Sequence, residues 1–212
     1  MAEKAQRIGT RRRRADGELS RERILDAATE IASERGYEGT SIALVSSTCG
    51  LPASSIYWHF KDKDDLIAAV IERSFDTWLS AWQVPSVGSA DERAVGFGVQ
   101  VAKALQESPD FIRLGLMLAL ERRPVEPRAR AMYIQARAQA FLQTTGAIKQ
   151  LIPALSDADA IQLATYAVAG ADGLFIAKEI GGDSVDLIAL FELHVRAIVD
   201  QARRLIDEQA SR

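Results

Sequence analysis

The sequence predicts an all-α protein of about nine helices, in which a small N-terminal unit precedes a larger helical domain. Apolar residues recur at three- and four-residue spacing through most of the 212 residues, and glycines and prolines fall between these periodic segments. A hydrophobic content of 48% is enough to build a sizeable core. No segment has the alternating pattern of a β-strand.

The first two helices are marked by residues typical of helix ends. Ser20 is a candidate N-cap for a helix through Arg35, and Gly36 follows as a left-handed stop. Thr40 can cap a second, shorter helix that Gly50 closes. This second helix is expected to turn three residues inward, namely Ile42, Val45 and Cys49.

A third, very short helix is predicted over residues 52–59. Pro52 suits the first helical turn, and the small residues behind it leave the helix start open to a backbone or a base edge. Ile56 and Phe60 lie four residues apart and share the face that anchors the helix. A helix, a glycine turn and a short polar helix form a helix-turn-helix, whose second helix enters the DNA major groove.

The same region resembles the tetracycline-repressor (TetR) family over roughly residues 20–66. The resemblance rests on Gly-Tyr-Glu-Gly-Thr-Ser-Ile at 36–42, Gly-Leu at 50–51 and Ile-Tyr-Trp-His-Phe-Lys-Asp-Lys-Asp-Asp-Leu at 56–66. It implies that the rest of the chain is an effector-binding and dimerisation domain. It also implies operator contacts by Thr40, Ser54, Ser55, Tyr57, His59 and Lys63, and we group Ser41 and Ala53 with them. Trp58 and Phe60 are expected to be packing residues.

Charge is unevenly distributed along the chain. Residues 1–14 hold six basic residues against one acidic residue, a net charge of +5, so the rest carries −8 of the overall −3. Such an arm can order on DNA by releasing counterions or by inserting arginines into the minor groove. We therefore add the candidate DNA contacts Arg11, Arg12, Arg13 and Arg14. The alternative is a solubilising tail.

The remaining helices follow the same periodic reasoning. The fourth is expected to begin near Asp62 and to join the two domains. The next begins at Ala90 and ends at Gln106, and another begins at Asp110 and stops before Pro124. The last three predicted helices span 128–151, 157–180 and 184–207. The domains are thus a basic flexible arm at 1–19, a DNA-binding domain at 20–66 and an effector-binding and dimerisation domain at 67–212.

The last two helices suggest a homodimer. One carries small residues along a face and the other carries large ones, so the two surfaces can interdigitate in a two-fold four-helix interface. Such symmetry matches a palindromic operator. The alternative is that both faces are intramolecular core. The predicted interface residues are Ala167, Gly170, Ala171, Asp172, Leu190, His194 and Ile198, and Asp172 could instead bind a ligand.

A ligand pocket between helices would be mostly apolar, because few charged residues lie on the relevant faces. Its candidate lining residues are Trp78, Trp82, Phe97, Val101, Phe111, Leu114, Met117, Tyr133, Phe141 and Phe175. Each of these residues could equally be plain core. The ligand would then be a small, mostly apolar molecule.

Several functional classes are not supported by the sequence. Two histidines 135 positions apart and one cysteine do not suggest a metal site or a Cys-His pair, and no phosphate loop or nucleophile elbow is present. We therefore expect no cofactor, no catalytic residues and no membrane span, and a cytoplasmic location. The predicted function is a DNA-binding transcriptional regulator, a repressor released by its ligand. The alternatives are a non-specific architectural DNA-binding protein and a helical enzyme.

Overall fold

The computed structural model describes the backbone of residues 2–121 and 127–211 and the side chains of residues 16–121 and 127–211. These ranges contain nine α-helices, a short 3-10 turn at Gly182–Ser184 and no strand, which confirms the predicted fold class. The helices are α1 (Ala2–Gly39), α2 (Ile42–Cys49), α3 (Ala53–His59), α4 (Lys63–Ser80), α5 (Ala90–Glu107), α6 (Asp110–Leu120), α7 (Arg128–Leu151), α8 (Asp157–Gly181) and α9 (Leu187–Ala210).

The first helix begins earlier than predicted. It runs through the segment expected to be a flexible arm, and Ser20 is not its N-cap. The hydroxyl of Ser20 instead donates to the carbonyl of Asp16 at 2.8 Å, a bond made within a continuous helix. The predicted break at Gly36 is present, since its φ of 67° interrupts the helical backbone.

The chain divides into two compact units. Unit 1 is Met1–Ser74 with Arg113–Ile134, and unit 2 is Phe75–Ile112 with Gln135–Arg212. The predicted boundary after residue 66 therefore falls inside α4, whose residues belong to both units. The segment Arg113–Ile134 follows residues of unit 2 in the sequence but belongs to unit 1.

Unit 1 has its own core and a cap that joins distant segments. The side chains of Ile24, Val45 and Ile56 are fully buried, and each contributes roughly 1.5–3 kcal/mol through burial. Asp64 on α4 accepts a hydrogen bond from the backbone N–H of Ala129 at 3.1 Å, so it satisfies a free amide at the start of α7. This carboxylate connects α4 to α7 within unit 1.

Unit 2 is built around α5, α8 and α9. The two pairs α5–α9 and α8–α9 both pack closely. At Gly98 on α5 an added Cβ would lie 2.4 Å from Cγ2 of Val195, so glycine is needed for the approach of α9. A buried cluster of Leu155, Leu163 and Ile198 joins the end of α7 to α8 and α9.

Candidate nucleic-acid interface and apolar cavity

The turn between α2 and α3 is held by local contacts. Gly50 ends α2 in the left-handed conformation, with φ 67° and ψ 22°. The guanidinium of Arg23 donates to the carbonyl of Cys49 at 2.7 Å, and the hydroxyl of Ser46 donates to the carbonyl of Leu51, also at 2.7 Å. The first bond satisfies a carbonyl group that the end of α2 leaves free, and both bonds fix the direction in which α3 leaves the turn.

The two faces of α3 differ as the sequence predicts. Ile56 and Phe60 are buried, with 0% and 2% of their surface exposed, and anchor the short helix. On the other face Tyr57 is 56% exposed and Ser54 is exposed, while Ala53 and Ser55 at the helix start are half-buried. Hydroxyl groups therefore stand on the solvent side of α3, where a duplex could reach them.

The residues Trp58 and His59 depart from expectation in different ways. Trp58 was predicted to be a packing residue, but it is 76% exposed, so that prediction is wrong. Its ring lies edge-on to His59, with centroids 4.6 Å apart. Burial, and then the charge of Arg21, lower the pKa of His59 below its usual value. The lowered pKa favours the neutral imidazole, which can still donate one N–H to a phosphate.

The prediction that the Thr40 side chain contacts DNA is wrong. Thr40 is 1% exposed, and its hydroxyl donates to the carbonyl of Gly36 at 2.8 Å. The residue that caps α2 is its neighbour Ser41, whose Oγ accepts from the N–H of Leu44 at 3.2 Å. Thr40 therefore stabilises the kink at the end of α1, while Ser41 lies exposed at the start of α2.

Lys63 is also less available than the sequence suggested. Its ammonium donates to the carbonyl of Tyr37 at 3.2 Å, pairs with Glu38 at 3.4 Å and lies 4.2 Å from the centroid of the Tyr37 ring. The sequence did not reveal this role, because Tyr37 and Glu38 are more than twenty residues away. Lys61 is exposed and is the better candidate cation beside α3. The side chains of Arg11 to Arg14 lie outside the described residues, so their DNA contacts stay a prediction.

Unit 2 encloses an apolar cavity of ≈ 110 Å³ between its helices. Four of the predicted lining residues meet there: Trp78, Trp82, Phe97 and Val101. The other six do not line it. Phe111 and Phe175 are buried core and Phe141 is half-buried, while the remaining three belong to unit 1, namely Leu114, Met117 and Tyr133. Helical spacing predicts which residues point inward, but it does not predict which of them line a cavity.

An ion pair stands in the cavity wall. Arg137 on α7 donates to Asp172 on α8 through both ends of its guanidinium, and the Nη1–Oδ1 distance is 2.7 Å. The two side chains are 26% and 19% exposed. Burial raises the pKa of Asp172 above its usual value, although the Arg137 charge opposes that rise. The pair accounts for a carboxylate within an otherwise apolar stretch of α8.

The residues predicted to form the dimer interface mostly face the interior of unit 2. The cavity is lined by Ala167, Ala171, Asp172, His194 and Ile198, and their part in a dimer interface stays a prediction. Gly170 lies under the His194 ring, where an added Cβ would come within 2.2 Å of Cε1. The small-against-large fit of α8 and α9 is thus intramolecular at these positions, which was the alternative. Leu190 is half-buried, and its role stays a prediction.

A different face of α8 is apolar and exposed. It carries Ile161, Tyr166, Ile176 and Ile180, which are 50%, 57%, 41% and 83% exposed, and Leu193 on α9 is 63% exposed. We refer to these five residues as the apolar face. By length and composition alone the segment Asp157–Ser184 is apolar enough to cross a membrane, and 22% of its apolar window is buried in this structure. Large exposed apolar patches mark surfaces that something covers.

Known proteins are similar to residues 24–70 in sequence and to most of the chain in fold. Residues 24–70 match the family described as bacterial regulatory proteins, tetR family. The HTH-type transcriptional repressor Rv1353c of Mycobacterium tuberculosis is 29% identical over 111 residues, which are 52% of this chain and 42% of that protein. The chain thus spans less than half the length of this curated relative.

Solved structures agree over a longer stretch. A transcriptional regulator from Rhodococcus sp. Rha1 aligns with 86% of this chain and 97% of its own, with a TM-score of 0.69 and 18% identity. FadR from Bacillus subtilis, solved in complex with stearoyl-CoA, aligns with 84% of this chain and 96% of its own, with a TM-score of 0.66 and 18% identity. The chain has the fold of these helical regulators. Its similarity in sequence to the tetR family of bacterial regulatory proteins covers residues 24–70.

Proposed function

We propose that this protein is a homodimeric, sequence-specific DNA-binding regulator, a repressor that a small and mostly apolar ligand releases from its operator. The observation that carries the proposal is the outward face of α3, where Ser54 and Tyr57 are exposed on a helix anchored by buried Ile56 and Phe60. The repressor Rv1353c and the tetR family match support the same function. As a DNA-binding regulator it would work in the cytoplasm, where it can reach the chromosome.

The DNA contact would combine positioning with readout. Hydroxyl and N–H donors on α3, together with the ammonium of Lys61, would hold phosphates and fix the register of the helix. Residues at the start of α3 would approach base edges in the major groove. Since both kinds of contact replace condensed counterions, the affinity should fall steeply as salt concentration rises.

A second copy of the chain would cover the apolar face. Two-fold pairing would bury Ile161, Ile176 and Ile180 and present two copies of α3 to one duplex. Changing Ile176 to Glu should convert the dimer to a monomer in sedimentation at micromolar concentration. The matched control is Gln106→Glu, which adds the same charge to an exposed position of α5. A dimer that survives Ile176→Glu would contradict the pairing.

The ligand would act by preferring one arrangement of the dimer. Two copies of α3 enter successive major grooves only when they lie about one DNA turn apart, roughly 34–36 Å. A ligand can change this population only through different affinities for the two arrangements. FadR, which was solved with stearoyl-CoA, supports a ligand for proteins of this fold.

Selection from a library of random DNA duplexes tests the proposal without knowledge of the operator. We expect a palindrome with half-sites about one turn apart, and binding that unrelated DNA cannot compete away. Recovery of no common sequence would favour the alternative of an architectural DNA-binding protein. Failure to retain any duplex at low salt would contradict DNA binding altogether and would return attention to the enzyme alternative.

A further inference from the structure

Two buried indole groups in the cavity wall have no hydrogen-bond partner. The Nε1–H donors of Trp78 and Trp82 are both buried and unpaired among the described residues, and Trp78 is only 6% exposed. Both side chains line the cavity, and their rings lie 4.4 Å apart between centroids. Buried N–H groups are usually paired in folded proteins, so two unpaired donors in one wall indicate that a bound molecule supplies an acceptor.

The rest of the wall limits the charge of that molecule. Most of the described lining residues are apolar. The two charged groups of the wall, Arg137 and Asp172, already neutralise each other in a bidentate ion pair. One ring nitrogen of His194, Nε2, lies 3.1 Å from the carbonyl oxygen of Ala167. An ion entering this cavity would lose its hydration without gaining a free counter-charge, whereas a neutral molecule would lose little.

The size of the cavity limits the part of the molecule that enters it. A volume of ≈ 110 Å³ is close to that of an engineered cavity of about 150 Å³ that binds benzene, so it suits a single ring or a short chain. Beside it is an open groove of ≈ 770 Å³ that shares Trp82, Phe97 and Ala147 with the cavity. The polar side chains of that groove are amides, Gln83, Gln139, Gln143 and Gln150. A longer ligand would meet uncharged groups there too.

From these features we infer that the effector is an uncharged, largely apolar molecule bearing a hydrogen-bond acceptor, such as a carbonyl or ether oxygen, which takes the N–H of Trp78 or Trp82. The inference rests on the proposed ligand response and names the chemistry of its ligand. The acceptor oxygen lies at the tryptophan end of the cavity, and the apolar body packs toward Val101 and Ile198.

Three small probes of similar shape separate the contributions of charge and acceptor. Acetophenone carries a neutral carbonyl oxygen, ethylbenzene has no acceptor and benzoate is anionic. Titration into the 212-residue protein labelled with ¹⁵N at its tryptophans gives one indole signal for each of the three tryptophans. Trp58 is exposed on α3 and does not line the cavity, so its signal serves as the internal control. Single Trp→Phe variants assign the signals.

Acetophenone should move the signal of Trp78 or Trp82 downfield, leave that of Trp58 in place and bind at least about fivefold more tightly than either other probe. The variants Trp78→Phe and Trp82→Phe keep a ring but remove a donor. At least one of these variants should bind acetophenone with an affinity within about twofold of its affinity for ethylbenzene.

Equal binding of acetophenone and ethylbenzene, a preference for benzoate, or no shift at either cavity tryptophan would overturn the inference. The wild-type comparison decides the matter even if a variant fails to fold. No DNA is present in this titration, so its failure is distinct from a failure of operator binding.

Discussion

The guanidinium of Arg23 on α1 donates to the carbonyl of Cys49, the last residue of α2, at 2.7 Å. This bond joins residues 26 positions apart and places a positive charge at the negative end of the α2 dipole. It holds the turn from which α3 departs, so α1 determines where the proposed recognition helix lies. The orientation of α3 is therefore set by a residue that need not touch DNA.

Replacing Arg23 with Met should loosen this turn while keeping an apolar stem of similar length. We expect a loss of about 1 kcal/mol in the free energy of unfolding, because a charge-assisted hydrogen bond disappears from a partly exposed site. Operator affinity, measured by fluorescence anisotropy, should fall by roughly fivefold. The reason is that the variant must spend binding free energy on fixing the orientation of α3. The control is Arg204→Met, at an exposed position of α9. Equal affinities for the two variants would contradict a positioning role.

Gly50 and Gly146 should respond in opposite directions to substitution by Ala. At Gly50 a φ of 67° strains any side chain, so Gly50→Ala should lower the free energy of unfolding by about 1 kcal/mol. Gly146 lies in α7 with no atom within 4 Å of an added Cβ, and Gly146→Ala should raise it by up to about 1 kcal/mol. Urea denaturation measures both values. A stabilised Gly50→Ala would show that the left-handed turn is not required.

The Arg137–Asp172 pair predicts a non-additive result. Asp172→Leu leaves a half-buried guanidinium without its partner, so it should destabilise the protein by roughly 1–3 kcal/mol. The double variant Arg137→Met/Asp172→Leu should recover most of that loss, because no lone charge remains in the wall. Urea denaturation of the wild type and of all three variants completes the cycle. Strict additivity would mean that the two side chains do not interact.

The lowered pKa of His59 predicts how the stability of the protein depends on pH. Its folded pKa is lowered by burial and by Arg21, while in the unfolded chain its pKa is about 6.5. As pH falls through about 6.5 toward the folded pKa, the unfolded state binds more protons, so stability is lost. His59→Gln should show a smaller loss of urea midpoint between pH 7.5 and 5.5 than the wild type. Identical losses would contradict this environment for the imidazole.

Local patterns in the sequence predicted the parts of the site that depend on neighbouring residues. Ile56 and Phe60 are buried because their four-residue spacing places them on one side of α3, and Gly50 is left-handed because the turn demands it. These features require no knowledge of distant contacts. The exposure of Tyr57 follows from the same spacing.

Features that depend on distant residues could not be predicted. Lys63 is held by Tyr37 and Glu38, and Asp172 by Arg137, through contacts that no local pattern encodes. Small residues on α8 indicated close helix packing, yet the same pattern serves an internal fit and an interface between subunits equally well. The choice between Thr40 and Ser41 as the helix cap depended on one residue of register.

The affinity of Tyr57→Ala for the selected operator tests most directly whether the outward face of α3 recognises DNA. Because Tyr57 is 56% exposed, its removal should leave the helical content and the dimer unchanged. We expect specific binding to weaken by roughly 1–3 kcal/mol, about 5- to 150-fold, and binding to unrelated DNA to change far less. An operator affinity equal to that of the wild type, with the fold intact, would contradict the proposed recognition surface.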